Sequence, residues 1–253
     1  MGIIYLLLIY LGFGLVLYLL QKSFIYFPVK GPGNLGLQEE FFSSGSETIQ
    51  VLVINPDQQD ALIYFGGNAE AVAHNRYDFG NIFKNISVYL VNYRGYGEST
   101  GRPSEQALYQ DAELVYDKLK ERHRHLSIMG RSLGSGIATY LAANRATHKL
   151  ILVTPFDSIE KIAQRRFPIY PISLLLREKY QSDRRVKNIT APTLVIMAEH
   201  DQIVPRKNSE RLLEQFKPHQ VRVQIISGAD HNSISSFPEY LQGIQQFLFG
   251  MPK

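Results

Sequence analysis

The chain has 253 residues, 45% of them hydrophobic, and no linker-like or low-complexity tract, which gives room for one large domain and a tail. It contains no cysteine, and this excludes thiol nucleophiles, disulfides and zinc–cysteine sites. A net charge of +4 is too small to require a nucleic-acid partner.

Residues 2–21 carry no charged side chain, and residues 3–20 are almost wholly apolar. At a rise of about 1.5 Å per residue this run reaches roughly 27 Å, close to the thickness of a bilayer core. QKSFIYFP follows it, with aromatics and a lysine at interface depth. A cleaved signal peptide needs a basic region before the apolar run and a small-x-small site after it, and neither is here. Leu6 stands where a myristoylation signal has serine or threonine. The expectation is a single transmembrane anchor over residues 1–22, followed by one domain over 23–253. Lys22 and Lys30 follow the anchor and only the terminal amine precedes it, so the positive-inside rule places the domain on the cytoplasmic side.

Short β-branched, apolar runs then recur: TIQVLVI (48–54), ALIYF (61–65), SVYLVNY (87–93), LSIM (126–129), KLILVT (149–154), TLVIMA (193–198) and VRVQII (221–226). The central ones are nearly continuous apolar runs, the pattern of strands buried on both faces. Helical periodicity lies between them, at 104–122 with Ser104 as N-cap, and at 133–146, 205–216 and 235–249. Regular alternation predicts an α/β fold with a mainly parallel central sheet flanked by helices. The short turn NPDQQD predicts that 51–54 and 61–65 form an antiparallel pair.

One interval breaks the rhythm. Residues 155–190 are long, proline-marked and basic, with an apolar patch at 167–176, and are expected to form a helical excursion over the strand ends. Residues 161–187 carry eight basic and two acidic side chains, a local +6 that leaves the rest of the chain at −2. Such a run is either a solvated helical face or a surface that rests on anionic lipid headgroups.

GRSLGSG (130–136) stands where the LSIM strand ends and a helix begins. Its Gly130-Arg131-Ser132-Leu133-Gly134 fits the nucleophile elbow, in which glycines two before and two after the serine remove collisions in a sharp strand-to-helix turn. A serine hydroxyl needs a base, and the base needs an orienting carboxylate. Of seven histidines, His231 in SGADHNSI follows the last strand and can reach over the strand ends. His200 is its rival, while His123 and His125 fall in a charged, solvated loop. Asp201 in AEHDQIVP follows the 193–198 strand and is the expected acid, with Asp157 in TPFDS as the alternative position. The oxyanion then needs two amide donors, expected from Leu133 N–H and, in the loop FGGNAEAV, Asn68 N–H. NYRGYGES (92–99) is expected to order a loop beneath that strand and take no catalytic part.

Taken together, YFGGN, NYRGYGES, GRSLGSG, TPFDSI, EHDQIVP and ADHNSI resemble the α/β-hydrolase superfamily of serine hydrolases. The similarity is greatest to its small membrane-anchored branch, related to bud emergence protein and to palmitoyl-protein-hydrolase-like α/β-hydrolase-domain proteins. It runs from about residue 24 to the C-terminus and also takes in the apolar N-terminus. The resemblance implies an α/β-hydrolase fold, with nucleophile Ser132, acid Asp201 and base His231. Many relatives carry histidine-glycine at the oxyanion loop where this chain has Gly66-Gly67; backbone donors survive that change. The expected activity is hydrolysis of a carboxylic ester or thioester, without cofactor or metal. The expected partners are an acyl substrate and membrane lipid, the latter through residues 3–20 and the basic segment 161–187. The family also holds peptidases, and a non-catalytic membrane interaction module is a further use of the fold. Such a module would show a broken triad, whereas all three members are present here.

Overall fold

The computed structural model describes residues 1–250. Among them eight strands form one sheet: β1 (Gln38–Ser44), β2 (Glu47–Ile54), β3 (Asp60–Phe65), β4 (Ser87–Val91), β5 (His125–Arg131), β6 (Leu150–Val153), β7 (Thr193–Ala198) and β8 (Val221–Ile226). Their spatial order is β1-β2-β4-β3-β5-β6-β7-β8. The helices are α1 (Gly2–Ile25), α2 (Arg76–Ile82), α3 (Glu105–Leu119), α4 (Leu133–Asn144), α5 (Ile159–Arg166), α6 (Ile172–Leu175), α7 (Ser182–Arg185), α8 (Arg206–Leu213) and α9 (Pro238–Phe249).

From β4 through β8 every neighbouring pair is parallel, as the alternation predicts. β4, β6 and β7 are buried along their whole length, which explains their unbroken apolar sequences. One core cluster, with Leu108, Ala112, Val115 and Leu119 of α3 and Ile137 and Leu141 of α4, covers one face. The other cluster uses Phe79 of α2 and Tyr240 and Ile244 of α9. Ser104 caps α3 as expected, its hydroxyl accepting from Ala107 N–H at 3.3 Å.

The sequence expectation fails at the sheet's start. β2 and β3 are not paired: β2 runs antiparallel to β4, and β4 separates it from β3. The missing partner is β1, whose sequence QEEFFSS has too few apolar residues to read as a strand but which pairs with β2 over Gln38–Ser44. Two histidines also differ from expectation. His125 lies in β5 at 3.0 Å from Asp60, and His123 sits between Tyr89 OH and the Gln58 carbonyl. Both serve the bottom of the sheet.

The interval 155–190, here called the cap, holds α5, α6 and α7. Against it lies α1, a helix long and apolar enough to cross a membrane, with mean hydropathy 2.6. Tyr10, Gly14, Leu17, Tyr18, Gln21 and Ile25, spaced at helical period, are its partly or fully buried positions. A Cβ at Gly14 would meet the Tyr170 ring at 2.8 Å, so glycine there lets the cap approach closely.

Candidate active site

β5 leaves the sheet at Arg131 and α4 begins at Leu133, so a single residue makes the turn. That residue, Ser132, has φ 50° and ψ −116°, a left-handed backbone that a non-glycine residue adopts only under strain. A Cβ at Gly130 would run into the Gly134 carbonyl, and one at Gly134 into the Phe65 carbonyl at the end of β3. The two glycines let α4 start against two strand ends at once.

His231 follows β8 and is 7% exposed. Its Nε2 lies 2.9 Å from Ser132 Oγ, and its Nδ1 lies 2.7 Å from Asp201 Oδ2. A carboxylate only accepts, so Nδ1 carries the proton and donates it; Nε2 is then free to accept from the serine hydroxyl. Asp201 is itself fixed, because its Oδ1 accepts from the backbone N–H groups of Ile203 (3.0 Å) and Val204 (2.8 Å). Its rival Asp157 is fully buried and makes no hydrogen bond or ion pair with His231. Its partners are Ser158 N–H, Asn208, Lys161 and Arg211. His200 points into the open, its side chain 65% exposed. Asp230, next to His231, accepts from Asn232 N–H and Ser233 N–H, both at 2.8 Å. The Ser233 and Asn232 amides hold its carboxyl below the usual carboxylate range and shape the loop that carries the imidazole.

Gly67, in the loop after β3, lies over the serine: a Cβ there would stand 3.7 Å from Ser132 Cβ. Gly67 N–H is turned away to Glu70 Oε2 at 2.6 Å. Asn68 N–H and Leu133 N–H donate to no acceptor among the described residues. The Asn68 side chain accepts from Phe27 N–H (2.9 Å) and from Tyr96 OH (2.8 Å). The segment leaving α1 therefore holds the loop in place, a role the sequence did not disclose. Tyr96 and Arg94 of NYRGYGES stay structural, Arg94 pairing with Asp111 at 2.8 Å.

Glu70 and Arg131 also escaped the sequence reading. Glu70 Oε1 accepts from Tyr64 OH (2.7 Å) and Asn75 (2.8 Å), and its Oε2 lies 3.8 Å from Arg131. Burial, then the Glu70 carboxylate, push the Tyr64 hydroxyl well up, so it remains a donor. Arg131 Nη2 donates to the carbonyls of His231 (3.2 Å) and Asn232 (3.3 Å). Burial works against its charge, but Tyr64 and Glu70 outweigh it and hold the guanidinium pKa above its usual value. The residue before the serine thus ties the Gly67 loop to the His231 loop. Arg131→Met should lower unfolding free energy by about 1–3 kcal/mol. It should also cut turnover about 10- to 100-fold, because both loops lose their common brace. Urea unfolding and ester kinetics on the same preparation measure both.

The serine hydrolase (FSH1) family model matches residues 37–232, a span that contains Asn68, Glu70, Arg131, Ser132, Asp201 and His231. The chain belongs to the serine hydrolase (FSH1) family. Among other relatives of this family member, protein bem46 of Schizosaccharomyces pombe is 29% identical over 271 residues, covering 95% of this chain and 89% of that protein. Lysophosphatidylserine lipase ABHD12 of Macaca fascicularis is 28% identical over 223 residues, covering 74% of this chain and 55% of the lipase. The chain spans about half the length of most of the curated relatives it matches. A crystal structure of a predicted CIB-like hydrolase from Thermoplasma acidophilum superposes with TM-score 0.64 at 21% identity, covering 85% of this chain and 99% of that one, and shares the α/β-hydrolase fold.

Proposed function

We propose that this FSH1-family protein is a membrane-anchored hydrolase of carboxylic esters or thioesters. Ser132 attacks the acyl carbon, His231 takes its proton, and Asp201 orients the ring and stabilises the imidazolium. The amides of Asn68 and Leu133 receive the oxyanion, each worth roughly 10²–10³ in rate. His231 then returns its proton to the leaving group, and water releases the acyl-enzyme. The observation that carries this reading is the unbroken chain from Ser132 Oγ through the imidazole to Asp201, at 2.9 and 2.7 Å. It favours an enzyme over an idle interaction module. The lipase named among the relatives supports an acyl ester as substrate.

The same reading makes α1 a bilayer anchor, with the domain on the cytoplasmic side. The basic stretch 161–187 contributes less to lipid binding than its sequence suggests. Lys161 is paired with Asp183, Lys179 with Glu160 and Arg185 with Glu105. Arg166, Arg177, Arg184 and Lys187, exposed and paired with no carboxylate among the described residues, remain as candidates for headgroup contact. The test is turnover by the detergent-solubilised full chain. Acyl esters and thioesters should be cleaved at least 100-fold faster than aminoacyl anilides, by comparison of kcat/KM; the reverse preference would establish a peptidase.

A further inference from the structure

The cap is docked along α1. It follows α1 from Gln21 back to Tyr10: Gln21 Nε2 donates to the Leu175 carbonyl, Tyr10 OH to the Ile169 carbonyl, and Tyr170 OH to the Tyr10 carbonyl. The Tyr10 and Tyr170 rings stack at 4.6 Å. Tyr10 and Gln21 are about 16 Å apart along a helix axis. A hydrocarbon core is roughly 30 Å thick, so an α1 that spans it carries residues 167–176 into it, about half-way through.

That segment is suited to the place. FPIYPISLLL has no charge, and Arg165, Arg166 and Arg177 bracket it. Ile169 and Leu174 are 69% and 83% exposed, side chains that favour hydrocarbon over water. Backbone polar groups in a bilayer need internal partners. Pro168 and Pro171 have no N–H to satisfy. The Gln164 amide donates to the carbonyls of Pro168 and Tyr170 at 3.3 and 3.0 Å. Tyr10 and Gln21 serve two more, as above. Polar side chains here are spent on the backbone of an apolar segment.

Between α1 and the cap runs an apolar groove of about 240 Å³, walled by Leu17, Phe24 and Ile25 on one side and Ile162, Ala163 and Leu176 on the other. Arg166 stands at its edge. Ile25, one of its lining residues, lies two residues before Phe27, whose N–H holds the Asn68 side chain of the loop over Ser132. Its volume is slightly below the roughly 300–1,000 Å³ of ligand pockets, enough for part of a chain whose remainder stays outside.

We propose that this groove binds the acyl chain of a membrane lipid, taken sideways from the bilayer with the cap segment 167–176 immersed beside α1. The helix that anchors the protein is then one wall of the binding site. Arg166 and Arg177 flank the groove with positive charge, which favours an anionic headgroup. As a substrate route the groove rests on the hydrolase reading above; as a lipid site it does not.

The test uses the full-length Ser132→Ala protein in phospholipid vesicles containing a phosphatidylserine with a diazirine on its palmitoyl chain. Crosslinks should concentrate on Leu17, Phe24, Ile162 and Ala163, and fall at least fivefold in Leu17→Trp and Ala163→Trp, which fill the groove from opposite walls. Thermal melting checks that each variant is folded. Crosslinks spread evenly around α1, or unaffected by either tryptophan, would overturn the proposal. In chains that retain Ser132, the same tryptophans should lower the kcat/KM ratio of palmitoyl over butyryl esters at least tenfold. Groove-directed crosslinks in a protein that hydrolyses no ester would keep the lipid site and remove the hydrolase reading.

Discussion

Ser132→Ala is expected to lower kcat by about 10⁶-fold, the size of loss seen when a triad nucleophile is removed. The oxyanion amides stay in place, so a residual acceleration of roughly 10³–10⁴ over water should survive. Reaction with an active-site phosphonate probe should disappear altogether, because among the described residues no other serine or threonine hydroxyl is hydrogen-bonded to an imidazole. The fold should be unharmed. The left-handed backbone at residue 132 is imposed by the β5–α4 turn and not by the hydroxyl, so alanine inherits the strain. Glycine does not. Ser132→Gly should therefore unfold at higher urea than Ser132→Ala, by about 1–2 kcal/mol. A chain that gains stability where it loses its nucleophile locates its strain at that residue. Undiminished probe labelling of either variant would remove Ser132 from the mechanism.

The site was legible in the sequence because each of its parts sits at a strand end. A buried parallel strand is a continuous apolar run, and the residue after it faces the ligand edge of the sheet. Ser132, Asp201 and His231, which the fold brings together, are therefore picked out in the sequence by position as much as by residue type. What the sequence hid depends on contacts between distant segments. β1 is polar because its antiparallel edge position gives it one covered face and one wet one. Arg131 looks like a filler in the elbow motif, and its partners at Glu70 and His231 are 61 and 100 residues away. Phe27 carries no signal at all, since it works through its backbone N–H. The docking of α1 on the cap left one trace, Gly14, but an apolar helix tolerates glycine for many reasons. The histidines His123 and His125 were misplaced for a related cause: charged neighbours in RHRH suggested solvent, whereas Tyr89, Gln58 and Asp60 supply partners for both rings.

The acid position is where two readings of the sequence diverge, and the structure makes their variants behave oppositely. Asp201→Asn should cut kcat by about 10⁴-fold while leaving stability nearly unchanged. Asp201 Oδ1 accepts two backbone N–H bonds, so the amide of asparagine must place its oxygen there and its NH₂ toward His231. A donor then faces Nδ1–H. The ring escapes this clash only by moving its proton to Nε2, and an Nε2–H can no longer accept the proton of Ser132. The geometry survives and the tautomer is wrong. Asp157→Asn should do the reverse. Its carboxylate is fully buried between Ser158 N–H and Asn208, with Lys161 at 3.5 Å and Arg211 at 3.9 Å. Removing its charge leaves those cations without their buried partner, at a cost of roughly 1–3 kcal/mol. Turnover should stay within about threefold of wild type, because no atom of Asp157 bonds to the imidazole. Ester kinetics and urea unfolding on both variants decide the matter: a large rate loss in Asp157→Asn, with Asp201→Asn still active, would transfer the orienting role to the strand-β6 position.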